Sequence, residues 1–268
     1  MRNFAVSIIG SGNVAWHLCQ AFEAAGIEVA EIAARSKKKA ENIVGYLYDV
    51  HIKTDYDFSE SRSSIFIIAV SDGAIAEVAD ALILPSDALV VHTSGATPMS
   101  VLEIVQMRNI GANYGVLYPI MTFSANKKIH FKKVTFCLET SHERSLDLLK
   151  KLVLKLSANP IELNSTHRAT LHLSAVFACN FVNHLWALSK EILEEEDMSL
   201  SLISPLIAET YKKAMEAEHP AEVQTGPAIR RDTKTLNRHV ELIKEDEDLT
   251  RVYKVLSSSI QDWHADDN

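Results

Sequence analysis

The sequence predicts an α/β protein: a mostly parallel sheet covered by helices, followed by an all-helical C-terminal domain. Three observations carry that reading. Short apolar runs of strand length alternate with helical patterns from residue 4 to about residue 160. The alternation then stops, and helical periodicity alone continues to the end. Glycine and charge divide near the same place: eight of nine glycines precede residue 116, and the whole net charge of −8 falls after residue 160. A boundary between residues 160 and 165 gives domains 1–162 and 163–268, a size at which each can hold its own core.

The elements follow in order. Phe4–Ile9 reads as a buried strand, and Val14–Ala25 as a helix stopped by Gly26. Ile27–Ala34 is the second strand, and Ser36 caps a helix carrying Ala40, Ile43 and Leu47. Ile65–Val70 is a continuous apolar strand, after which Ser71-Asp72-Gly73 opens a helix through Ala81. Ala88–Val91, Asn113–Tyr118 and Val134–Leu138 are further strands, and Glu143–Ser157 is an amphipathic helix. From Thr166 to about Glu194 runs one long helix. Leu171, Ala175, Ala178, Val182 and Leu185 mark one face, but Leu173, Val176, Phe177 and Trp186 make it apolar nearly all round. Such a helix is expected to be buried, either inside a helical domain or against a partner subunit. Helices at Ser199–Glu218, Thr233–Ile243 and Leu249–Ser258 complete the chain.

Composition narrows the function classes. An isoelectric point near 5.8 disfavours a nucleic-acid surface of clustered Lys and Arg. Cys19, Cys137 and Cys179 are few and widely spaced, which argues against disulfides or zinc and for a reducing cytoplasm. The apolar run at the N-terminus is too short for a signal-peptide core or a membrane span, so no membrane role is expected.

Gly10-Ser11-Gly12-Asn13-Val14-Ala15 lies between a strand and a helix, where the Gly-x-Gly-x-x-Gly/Ala fingerprint of a Rossmann-type dinucleotide site belongs. Gly10 permits the tight turn, Gly12 lets the backbone approach a pyrophosphate, and Ala15 keeps the helix close to the sheet. The helix N-terminus offers free N–H groups to the anion. The end of the second strand chooses the cofactor. Glu31 is the only nearby acid and lies within the strand, whereas Arg35 and Ser36, with Lys37, suit the 2′-phosphate of NADP. The competing reading is a plain helix entry at Arg35-Ser36-Lys37.

Ligands of such a sheet lie beyond the carboxyl ends of its strands. Val70, Ser71 and Asp72 are expected near the middle of the cofactor. His92-Thr93-Ser94-Gly95 is expected where a nicotinamide ring would lie, and Tyr118-Pro119-Ile120-Met121 just after a later strand. His92 is either a proton donor or a loop histidine bonded to backbone. On the long helix His172 and Asn180 are eight residues apart, about 12 Å along the axis, and either flank a cleft or support packing. Asn183 likewise either supports packing or faces a site, whereas His167 and His184 read as surface or packing residues. In Thr225-Gly226-Pro227-Ala228-Ile229-Arg230-Arg231-Asp232-Thr233 the Gly-Pro pair breaks a helix and Asp232 can cap the next. Arg230 and Arg231 stand out in an acidic region as candidates to hold an anion or meet a partner subunit.

With these residues in view the chain resembles a Rossmann-like family of NADP-dependent oxidoreductases with a C-terminal helical domain of unknown function. Its relatives are pyrroline-5-carboxylate reductase and the 6-phosphogluconate and 3-hydroxyacid dehydrogenases. The resemblance rests on Gly10–Ala15, His92–Gly95, His172–Asn180, and Thr225-Gly226-Pro227 with Arg230, Asp232, Thr235 and His239. It implies two domains with the active cleft between them and homodimers formed through the helical domains. It departs at Arg231, where the family usually has Gly, and the superfamily's Lys-and-Asn pair is missing, because no Lys lies near Asn180 before Lys190. The expected function is hydride transfer between NADP and a small, anionic carbonyl or imine substrate. His92 or His172 would handle the proton, with Asn180 orienting the substrate and Ser94, Arg230 and Asp232 on the substrate side. The alternative is a non-catalytic NADP-binding regulator or redox sensor. A third reading, an S-adenosyl-methionine enzyme, conflicts with the phosphate signal at Arg35-Ser36.

Overall fold

The computed structural model describes residues 5–124, 127 and 129–265. It divides into two compact units, Met1–Phe177 and Ala178–Asn268. The alternating pattern ends at residue 162, but the first unit runs on to Phe177, because the start of the long helix is bonded into the sheet unit, as shown below.

In the first unit eight strands form one sheet: β1 (Ala5–Ile9), β2 (Glu28–Ala33), β3 (His51–Lys53), β4 (Ile65–Ile68), β5 (Leu89–His92), β6 (Asn113–Ile120), β7 (Thr135–Thr140) and β8 (Asn159–Glu162). Their order is β3-β2-β1-β4-β5-β6-β7-β8. All neighbours are parallel except β6 and β7. The chain moves outward from β1 to β3 and returns to place β4 on the other side of β1, which opens a crevice at the carboxyl ends of β1 and β4. Both faces are covered, so β1 and β4 are buried along their length and, apart from Ser7, apolar. On one face α1 (Asn13–Ala24), α2 (Lys37–Val44) and α5 (Glu143–Lys155) contribute Leu18, Phe22, Ile43, Leu149 and Leu152. On the other, α3 (Ile75–Ala81) and α4 (Glu103–Arg108) bring Ile75, Val78 and Val105.

Several sequence expectations are adjusted. Phe4, the expected first strand residue, lies outside the described residues. Strands β3 and β8 were not expected, since three residues at an edge and a Pro160-containing segment carry little strand signal. Ser71-Asp72-Gly73 leads into a single 3-10 turn, Asp72–Ala74, before α3 begins. Tyr118, Pro119 and Ile120 lie inside β6, paired with β7, instead of following the strand.

The long helix is three segments: α6 (Ser165–Ala175), a π-helical stretch Val176–Phe181, and α7 (Val182–Glu194). The expectation that it is buried does not hold within one chain: Leu173 is 57% and Trp186 42% exposed, and Arg168 is its only fully buried residue. Apolar composition says that a surface must be covered and leaves open what covers it. By length and composition Ser165–Glu194 could also cross a membrane. The second unit continues with α8 (Ser204–Glu216), α9 (Thr233–Leu242) and α10 (Glu247–Trp263). Asp232 and Asp246 cap the last two through the backbone N–H groups of Thr235 and Leu249.

Candidate active site

At the end of β1 the chain must turn sharply under the strand beside it. Gly10 does so with φ +129°, and a Cβ there would lie 2.2 Å from the Ala69 carbonyl oxygen, so no other residue fits. Its N–H donates to the Ala33 carbonyl at 2.8 Å, tying the turn to β2. Gly12 is the N-cap of α1. It offers no side-chain cap, no acid sits in the first turn, and nothing lies within 4 Å of where its Cβ would be. The helix therefore presents bare N–H groups and its positive end to open space. Ala15 is fully buried, which lets α1 lie close on the sheet. Asn13 donates to the Phe123 carbonyl at 3.0 Å and fixes the far rim.

These residues line one cleft of about 660 Å³. Gly10, Ser11, Gly12, Asn13 and Val14 form its floor, Arg35 and Ser36 one end, and Val70 and Ser71 a wall. Asp72 stands beside this wall, outside the lining. Lys39, whose N–H the Ser36 hydroxyl caps, joins Arg35 and Ser36 at the cleft, whereas Lys37 and Lys38 do not line it. Glu31 is engaged elsewhere, accepting hydrogen bonds from Ser7 and Ser61.

The His92–Gly95 segment is packed rather than open. His92 is the last residue of β5 and fully buried. Its Nδ1 accepts the Ser94 N–H at 3.2 Å, and its buried Nε2 lacks a hydrogen-bond partner of standard geometry. Burial first, and then the Arg168 cation, push its pKa down to about 4, against a smaller opposing effect of the Pro98 backbone. The ring is neutral at pH 7. Ser94 is also buried, and its hydroxyl oxygen accepts the N–H groups of Ala96 and Thr97.

Beyond this loop stands a pair that sequence reasoning did not join. The Tyr118 hydroxyl lies 3.1 Å from His172 Nδ1, and the rings meet edge to face with centroids 5.8 Å apart. The base of α6 is held by Arg168, fully buried, which pairs with Glu139 of β7 and donates to the Thr97 carbonyl at 2.6 Å and to Ser165 Oγ at 3.2 Å. Glu139 also accepts from the Ser165 backbone and hydroxyl at 3.0 and 2.8 Å. Glu139, Ser165 and Arg168 carry no motif, and only the fold brings them together.

In the helical unit, Asn180 and Arg230 are exposed. Asp232 acts as a helix cap: its carboxylate accepts from the Thr235 hydroxyl at 2.7 Å and the Thr235 N–H at 3.1 Å, and these bonds hold its pKa below the ordinary value. His239 Nδ1 lies 2.8 Å from the Tyr253 hydroxyl, linking α9 to α10. Much of the 225–239 motif thus serves local architecture. Arg231 has φ +51°, the left-handed region that glycine occupies without strain. Among the described residues no group of three His, Cys, Asp or Glu side chains could hold a metal.

Residues 1–112 match a Rossmann-like domain, and residues 134–260 match a domain of unknown function, DUF2520. The structure of a "putative NADP oxidoreductase" from Bacteroides fragilis is 33% identical, with a TM-score of 0.87 over 97% of this chain and 98% of that one. A reductive aminase from Aspergillus terreus, in complex with NADPH and ethyl-5-oxohexanoate, is 13% identical with a TM-score of 0.72 over 96% and 93%. A pyrroline-5-carboxylate reductase from Coxiella burnetii is 14% identical with a TM-score of 0.57 over 97% and 99%. No match was found among curated proteins.

Proposed function

The chain belongs to the family that joins a Rossmann-like domain to DUF2520, and on that premise we propose that it is an NADP-dependent oxidoreductase acting on a small, anionic carbonyl or imine compound. The observation that carries this reading is that one cleft is lined both by a bare helix N-terminus and by Arg35, Ser36 and Lys39. These are the groups that a pyrophosphate and a ribose 2′-phosphate call for, and the engaged Glu31 leaves no acid at the strand tip for an NAD ribose. When bound, NADP supplies the hydride chemistry. The chain's own residues hold and orient it: Gly10–Val14 at the pyrophosphate, Arg35, Ser36 and Lys39 at the 2′-phosphate, and Val70 and Ser71 along the middle, with Asp72 next to them outside the lining.

Among the proton-handling candidates His172 suits the role better than His92, whose buried neutral ring is a positioning group for the Ser94–Gly95 loop. Asn180 as orienting group and Arg230 as anion holder are our proposals for the helical unit, with Asp232 shaping the Arg230 loop as a cap. A purely regulatory role is not favoured, since the 33%-identical relative is described as a "putative NADP oxidoreductase". Fluorescence titration with NADPH and NADH tests the cofactor, followed by a panel of ketoacids and imino acids. Failure of NADPH to bind well above micromolar concentration would overturn the reading.

We further propose a cytoplasmic homodimer formed through the helical unit. Among its described residues only Ala228 is fully buried, while Trp186, Leu206 and Met215 are exposed. A unit with so little core cannot offset its own chain entropy. A second copy covering the α7–α8 surface supplies that core. It also explains the apolar Ser165–Glu194 stretch better than a bilayer does, because Arg168 at its start is committed to Glu139. Analytical ultracentrifugation should give twice 29.8 kDa; a folded monomer at all concentrations would exclude the dimer.

A further inference from the structure

We propose that Tyr118 and His172 form a proton relay, in which the Tyr118 hydroxyl delivers the proton that a carbonyl or imine takes up on accepting a hydride. The inference rests on the oxidoreductase reading above and assigns its acid. Its basis is the meeting of three distant segments. Tyr118 stands on β6 two residues beyond Val116, the partner of His92, so its ring lies past the carboxyl end of β5 beside the Ser94–Gly95 loop. That loop is the one expected at the nicotinamide end of the cofactor. Its hydroxyl is 3.1 Å from His172 Nδ1, and both rings press on Gly95, where a Cβ would come within 2.6 Å of His172 Nδ1 and 2.8 Å of Tyr118 Cζ. The glycine gives the pair its seat.

The surroundings keep the phenol in the state a donor needs. Burial is the largest cause raising its pKa, Cys137 and Asp72 add to it, and the Arg168 cation partly opposes them. Asp72 adjoins Ser71 of the cleft wall, so the phenol lies within electrostatic reach of the cofactor cleft. Arg168, one turn before His172, is locked by Glu139 and Thr97 and fixes the helix that carries the imidazole. His92 cannot substitute, because its ring is buried and bonded to its own loop.

In the direction of reduction, the substrate carbon gains the hydride pair and the π pair moves to its oxygen or nitrogen. That atom takes the proton from Tyr118 Oη. The phenolate takes the proton on His172 Nδ1 across the 3.1 Å contact, and the ring takes one from water at Nε2. Oxidation runs the same transfers in reverse.

Tyr118→Phe and His172→Gln in the full chain test the relay by three measurements. NADPH fluorescence titration should give both variants an affinity within about twofold of the parent, since neither touches the cleft floor. Turnover with the ketoacid and imino-acid panel should fall about 100-fold or more in kcat for Tyr118→Phe, with KM changed less than about threefold. An ultraviolet difference titration should show a tyrosine titrating above the ordinary range that vanishes in Tyr118→Phe and moves in His172→Gln. Intact NADPH binding with kcat within about threefold of the parent in Tyr118→Phe would overturn the relay, and so would a phenol titration unmoved by His172→Gln. A parent protein that fails to bind NADPH strikes the cofactor reading instead, and the relay is then decided by the phenol titration.

Discussion

Gly95 and His172 lie so close that the loop after β5 has no room for a side chain: a Cβ on Gly95 would sit 2.6 Å from the imidazole Nδ1. The obstacle is a ring held by its helix on one side and by Tyr118 on the other. Gly95→Ala must therefore push the pair apart, at a cost of about 1–3 kcal/mol for an overpacked site. The expected result is a lower Tm together with a kcat reduced at least about 10-fold. NADPH affinity should be unchanged, because the cleft floor is built from Gly10–Val14. Loss of NADPH binding in this variant would show that the loop shapes the cofactor site directly.

Arg35 should set the choice between cofactors. A charge-assisted hydrogen bond to phosphate contributes about 1.5–3 kcal/mol. Arg35→Ala is therefore expected to weaken NADPH about 10- to 100-fold and to leave NADH nearly unchanged. Lys39→Ala should do the same to a smaller degree, and Lys37→Ala should do nothing, since Lys37 does not line the cleft. Paired fluorescence titrations with the two cofactors decide it. Equal losses for both would place Arg35 away from the 2′-phosphate.

His92 predicts an acid limb in stability. Its pKa of about 4 in the folded chain lies below the 6.5 of a free imidazole. The unfolded chain thus binds more protons between those values, and stability must fall as pH drops from about 6.5 to about 4. The stabilisation is complete above 6.5, and the span of the shift corresponds to about 3 kcal/mol. Chemical denaturation at pH 7, 5.5 and 4.5 should reveal the slope, and His92→Gln should flatten it. A slope of the same size in His92→Gln would assign it to the carboxylates.

What could be read in the sequence was local. Gly10, Gly12 and Ala15 lie within six residues between a strand and a helix, and each is required by the turn itself, so the loop and its place followed directly. Arg35 and Ser36 were legible for the same reason, and so was the capping role of Asp232. The Tyr118–His172 pair spans 54 positions and the Arg168–Glu139 pair 29. Only the sheet order, with the antiparallel β7 inserted beside β6, brings them together. His92 was placed correctly at a strand end, but its burial depended on the Arg168 cluster behind it. The long helix differed for another reason: apolar composition led to the expectation of burial, and within this chain Leu173, Phe177 and Trp186 are exposed.

Arg231 offers the last test. At φ +51° its Cβ is crowded by its own backbone, a cost of about 1–2 kcal/mol that a glycine avoids. Glycine also raises the entropy of the unfolded chain, which takes back about 0.5–1 kcal/mol. Arg231→Gly should thus stabilise the protein by about 0.5–1 kcal/mol, a rise of a few degrees in Tm at most. The backbone bonds at this position, from its N–H to the Ala228 carbonyl and from the Thr233 N–H to its own carbonyl, need no side chain and should survive. A glycine at this position would then answer to the turn, not to a close approach of ligand. Arg231→Asn serves as the control, because asparagine tolerates the same conformation. If both variants lose stability in thermal melts, the guanidinium makes a contact worth more than the strain. If both gain stability and keep their KM, Arg231 takes no part in holding the substrate.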